Sequence, residues 1–103
     1  MSYLKCPHCG SEVDPCSYMW HAKLHTPSYS ALYLYRCPRC NRLFAVESTY
    51  YLKDEHEIAL AVKSFLVAVK SASEDEHSDE HFTAGHADPL DKLPEEVRKL
   101  LLR

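Results

Sequence analysis

Two short runs carry the residues best suited to chemistry in this chain: Cys6-Pro7-His8-Cys9-Gly10 and Cys37-Pro38-Arg39-Cys40-Asn41. Each holds two thiols three positions apart, with proline after the first. Each ends on a residue that tolerates positive φ: glycine adopts that conformation freely, and asparagine is one of the few others that visit it. A tight turn of this kind aims two sulfurs at one point and turns backbone N–H groups back toward them. Four thiolates then close a tetrahedral shell around Zn²⁺, the usual structural arrangement. A catalytic zinc keeps a position open for water, so Cys6, Cys9, Cys37 and Cys40 read as a structural site.

A second ligand set competes with this one. Cys6, Cys9, His21 and His25 stand one residue short of the spacing of a Cys₂His₂ finger, which makes His21 and His25 alternative metal ligands. Cys37 and Cys40 would then need other partners, such as His56, or His77 and His81. The four-cysteine set leaves no knuckle unpaired and is preferred; His21 and His25 then lie partly exposed on a loop. Cys16 is left over, as a small buried hydrophobe or a spare ligand. His56, His77, His81 and His86 sit among acids and read as solvated rather than as a second site.

Catalysis has little to stand on. The H-x-E element that accompanies P-C-x-x-C in zinc deaminases is missing. With only two glycines, the chain cannot build a glycine-rich phosphate loop. We therefore expect a binding protein and not an enzyme.

The elements that must position the thiols follow from the neighbouring residues. Ser2–Lys5 can pair as a strand entering the first knuckle. Tyr18–His25 reads as a short helix or an irregular loop, ended by Thr26-Pro27-Ser28. Ala31–Arg36 is strand-like and delivers Cys37, and Arg42–Val46 returns from the second knuckle, reaching as far as Leu52. In the segment 54–73, Asp54 and Glu57 make a D-x-x-E helix start. Ile58, Val62, Phe65, Leu66 and Val69 then fall on one helical stripe. The alternation of Ile58, Leu60 and Val62 also suits a strand; length, alanines and the cap favour helix. Residues 74–92 are acidic, contain three histidines, and read as a mobile linker. From Leu93, proline in the first turn, acids after it and bases at the end begin a short helix. Leu93, Val97, Leu100 and Leu101 form its apolar stripe. The expected fold is a small α+β domain: a zinc ribbon over 1–53, a central core segment over 54–73, the linker over 74–92, and a C-terminal amphipathic helix over 93–103.

Composition sets the outer bounds. The chain has 103 residues, 46% hydrophobic and 26% charged, enough for one small domain. No apolar run reaches the ~18 residues of a membrane span, and Cys6 comes too early for a signal peptide before it. Five cysteines suit metal ligation in a reducing compartment better than a disulfide framework, which places the chain in the cytoplasm. Net charge is −3. Yet Lys5, Lys23, Arg36, Arg39, Arg42 and Lys53 outnumber Glu12, Asp14 and Glu47 in the first half, where most aromatic rings also lie; the second half is strongly acidic.

On the paired C-P-x-C-G and C-P-x-C-N knuckles, the chain resembles the zinc-ribbon superfamily over residues 3 to 53. That resemblance implies a structural zinc and a binding or scaffolding role. Leu93-Pro94-Glu95-Glu96-Val97 also resembles the L-P-x-x-V helix start of a bacterial domain-of-unknown-function family with an N-terminal zinc ribbon; this sequence stops before that family's later helices. Two kinds of partner fit the residues. Arg36, Arg39 and Arg42 beside Tyr33 and Tyr35 are suitable for phosphate contact and base stacking in a nucleic acid. The same arginines also offset the −2 charge of a zinc bound by four thiolates. The aromatic ribbon and the C-terminal helix suit a protein partner or self-association. The overall negative charge favours protein, with zinc as the cofactor and no membrane role.

Overall fold

The computed structural model describes residues 4–25, 29–48, 50–75 and 85–102. Its centre is a five-stranded antiparallel sheet in the order β6-β5-β4-β3-β7, built from β3 (Trp20–Leu24), β4 (Ser30–Arg36), β5 (Leu43–Glu47), β6 (Tyr50–Leu52) and β7 (Gly85–Ala87). A separate two-stranded hairpin, β1 (Leu4–Lys5) and β2 (Glu12–Val13), carries the first knuckle. The long helix α1 (Glu55–Asp75) and the short α2 (Glu95–Leu101) complete the α+β fold.

Strand alternation divides the sheet into two unlike faces. Trp20, Ala22, Leu32, Leu34, Leu43 and Ala45 point to one side and pack against Ile58, Ala59, Val62 and Phe65 of α1, with Leu93 and Val97 filling the end near α2. The helix expected over 54–73 is thus present and runs to Asp75. Asp54 accepts the His56 N–H at 3.0 Å, satisfying one of the free donors of the first turn. The helix reading prevails over the alternating strand because Leu60 is left in solvent while Ile58 and Val62 are buried together. Burying its side chains also supplies what so short a helix as α2 lacks on its own.

Two expectations need correction. Tyr18–His25 was expected as helix or loop, but Trp20–Leu24 is strand β3, whose Trp and Ala enter the core while His21 and Lys23 face out. Pairing with β4 along its whole length outweighs the helical leaning of its alanine, lysine and leucine. The acidic linker is also shorter at its C-terminal end than 74–92. Gly85–Ala87 pairs with β3 as an edge strand, in register Ala22↔Ala87, Lys23↔His86 and Leu24↔Gly85. A Cβ at Gly85 would stand 2.7 Å from the Lys23 carbonyl oxygen, so only glycine allows this approach. His77 and His81 lie outside the described residues.

Candidate metal centre

The two knuckles are built to the same plan. In the first, the Cys6 N–H donates to the Ser11 carbonyl at 2.8 Å, and the Gly10 N–H to the Cys6 carbonyl at 2.8 Å. In the second, the Cys37 N–H donates to the Arg42 carbonyl at 3.0 Å, and the Asn41 N–H to the Cys37 carbonyl at 2.8 Å. Gly10 and Asn41 take positive φ, 79° and 62°. The N–H groups of His8 and Arg39 each approach the sulfur two residues earlier, at 3.4 Å.

These turns face each other. Cys6 Sγ lies 3.7 Å from Cys40 Sγ, and Cys9 Sγ lies 3.6 Å from Cys37 Sγ. All four sulfurs fall within 4.8 Å of one another. A tetrahedral zinc at about 2.3 Å from each sulfur separates them by about 3.8 Å, so the donors fit a metal ion of this kind as they stand. Cys9 Sγ lies 3.2 Å from Ser11 Oγ; the side chain and then the backbone of Ser11 pull the Cys9 pKa down to about 6. The thiolate is the form that binds metal. In the same cluster the Arg42 backbone lowers the Cys40 pKa, but burial and the thiols of Cys6, Cys37 and Cys9 outweigh it and push the value up to about 11.

The surroundings join the knuckles to the rest of the molecule. His8 Nε2 donates to the Leu43 carbonyl at 3.0 Å, tying the first knuckle to the start of β5; the carbonyl only accepts, so this nitrogen carries the proton. Behind the sulfurs, Cys6, Val13, Tyr35, Cys37 and Phe44 form a second apolar cluster on the sheet face away from α1. The Tyr35 and Phe44 rings stack there with centroids 5.3 Å apart. Tyr35 donates its hydroxyl to the Pro15 carbonyl at 2.8 Å, and burial pushes its pKa up to about 12.

Other expected site residues are placed elsewhere. His21 and His25 do not join the four-sulfur cluster; they stand on and just beyond β3. Cys16 is exposed rather than buried, its N–H held by Asp14 Oδ1 at 2.9 Å, and is outside the cluster. Of the residues expected to meet nucleic acid, Tyr35 is buried and has no free face for a base. Arg36 is engaged by the Asn41 carbonyl at 3.1 Å and by Glu96 at 3.0 Å, where it clamps the second knuckle to α2. Tyr33 is half-buried; Arg39 and Arg42 are exposed. Leu93 and Val97 are buried against the chain's own core, with Leu100 and Leu101 partly covered.

Sequence reasoning missed Asp88. Its carboxylate accepts from the His21 backbone N–H at 3.0 Å and from His21 Nδ1 at 2.8 Å, and its own carbonyl accepts from Trp20 Nε1 at 3.0 Å. Nothing in the acidic segment distinguished this carboxylate from its neighbours.

Comparison with protein families, with curated proteins and with solved structures returns no match for this chain. The likeness to a zinc ribbon therefore rests on the four cysteines and the paired turns that hold them. Among the described residues no helix is long and apolar enough to cross a membrane.

Proposed function

We propose that the chain is a structural-zinc module that works by protein contact, and that its partner is a second copy of itself. Zinc is the ion that best suits four thiolates in a closed tetrahedral shell, and such a shell offers no position for a reacting water. The reading is accordingly non-enzymatic. Thiols that must stay reduced to hold the ion suit the cytoplasm.

One observation carries the partner assignment. Leu60 and Val67 stand two turns apart on the outer side of α1, 66% and 59% exposed. Beside them His56, Ala59, Leu60, Lys63, Leu100 and Leu101 line a hollow of about 310 Å³ between the helices. A second α1 laid antiparallel about the midpoint between Lys63 and Ser64 sets Leu60 opposite Val67 and Glu57 opposite Lys70, matching apolar with apolar and acid with base. Nucleic acid is the weaker partner because Tyr35 and Arg36 already serve the fold.

Sedimentation of the wild type beside Leu60→Asp/Val67→Asp tests this reading. Both positions are in solvent, so helicity and metal content should not change. The expected result is a wild-type dimer and a folded, zinc-loaded monomeric variant. A monomeric wild type would overturn self-association.

A further inference from the structure

The open side of the sheet gathers histidines from strands far apart in sequence. His21 of β3 and His86 of β7 bring their Nε2 atoms to 3.3 Å, with the rings nearly perpendicular at 83°. Two imidazole nitrogens bound to one tetrahedral ion at about 2.0–2.1 Å stand about 3.3–3.4 Å apart. The pair already has that separation. Its geometry is held by the backbone: β7 is paired to β3 on both sides of His86, and the Asp88 N–H donates to the His21 carbonyl at 2.9 Å.

Asp88 also sets the chemistry of His21. Its carboxylate at 2.8 Å accepts the Nδ1 proton, which leaves the Nε2 lone pair directed at His86. A carboxylate on the far nitrogen is the usual support of a metal-binding histidine, fixing both tautomer and ring orientation. His25 lies at the end of the same strand, its ring centroid 6.4 Å from that of His86 and its side chain exposed. The geometry points to a second metal site, distinct from the four cysteines, in which His21 Nε2 and His86 Nε2 hold a first-row divalent cation such as Zn²⁺ and His25 swings in as a third ligand.

The surroundings of His86 agree with a neutral donor there. Burial, followed by the nearby His21, Lys23 and His25, pushes the His86 pKa below its ordinary value. Uncharged imidazole is the form that binds metal. Lys23, paired across from His86, opposes an incoming cation, and the Asp88 carboxylate offsets it. His25 completes the set only by moving, because among the described residues the cysteine cluster alone already has three or more ligand atoms within 4.8 Å of one another. Imidazoles select zinc, copper, cobalt or nickel over magnesium or calcium.

The experiment starts from protein carrying one zinc on its cysteines. Zn²⁺ is added while heat release and the imidazole nitrogen resonances are followed. One further equivalent should bind, moving the Nε2 signals of His21 and His86 and leaving those of His8 and His56 in place. His86→Ala should lose this second equivalent and keep the first. Asp88→Asn should weaken it about 10–100-fold. Three results overturn the proposal: saturation at one zinc, a second zinc that moves only other histidines such as His77 and His81, or a second zinc retained by His86→Ala. The wild-type resonances decide the matter even if a variant fails to fold.

Discussion

The two faces of the central sheet are closed by different means. On one, α1 and α2 cover Trp20, Leu32, Leu34, Leu43 and Ala45 with aliphatic side chains and Phe65, and no thiol takes part. On the other, a hairpin of two two-residue strands rests on Tyr35 and Phe44, and four cysteines gather at its edge. An isolated hairpin is marginal at best, and this one adds little beyond Val13 and Cys6 to the buried surface. The four-thiol cluster lies where the chain has too little apolar surface to close the fold, so an ion bound there would fasten one face while packing holds the other.

The largest test of this contrast removes a ligand. Cys37→Ser should lose the bound metal, since three thiolates and a hydroxyl bind zinc poorly; structural zinc contributes about 10–16 kcal/mol of apparent binding energy in zinc-finger peptides. Amide protection should then fall in the hairpin and second knuckle while α1 and the β3–β4 pairing stay protected. Loss of the helix as well would show that the ion holds both faces. A protected hairpin without metal would show that packing holds both. Cys16→Ser, in an exposed turn outside the cluster, is the control and should retain the metal.

The complementary test strikes the other face. Phe65 is buried between α1 and the sheet, and Phe65→Ala should cost about 3–5 kcal/mol, the range for emptying a packed core position. Chemical denaturation would measure it. The metal should still bind below the unfolding transition, because Phe65 makes no part of the cysteine cluster. A variant that releases zinc while still folded would make the two faces one cooperative unit.

The same contrast explains what was legible in the sequence. The cysteine site could be read because a thiolate shell demands fixed spacing and residues that accept positive φ, and both are local properties of Cys6–Gly10 and Cys37–Asn41. The helix α1 was legible in its Asp54 cap and apolar stripe. The sheet's β7 edge was not, since Gly85–Ala87 is too short to show a period and is a strand only by pairing with β3. Strand β3 did carry a signal: Trp20, Ala22 and Leu24 alternate with His21 and Lys23. Its residue types suited a short helix or an irregular loop, and the partner strand decided otherwise. The role of Asp88 depends on β7 being where it is, so it could not be read before the topology.

The smallest expected effect is at the seam between the two faces. Arg36 leaves β4 just before Cys37, and Glu96 lies in the first turn of α2, so their 3.0 Å contact links the knuckle to the helical side. The Arg36 guanidinium, hydrogen-bonded to it, lowers the Glu96 pKa from its ordinary value of 4.5, and the Glu96 backbone N–H adds to the shift. A carboxyl depressed on folding binds its proton less readily in the native state than in the unfolded one. Its contribution is therefore present above pH 4.5 and is lost as pH falls below that value through the native pKa. About a third of each side chain remains in solvent, so screening holds the effect to well under about 1 kcal/mol. Glu96→Gln should lower stability slightly at neutral pH and flatten the acid side of the stability profile below pH 4.5. High salt should shrink the difference between wild type and variant. Denaturant midpoints taken across this pH range measure both changes. A variant whose profile parallels the wild type at every pH would show that the contact links the two faces in geometry but contributes nothing to their stability.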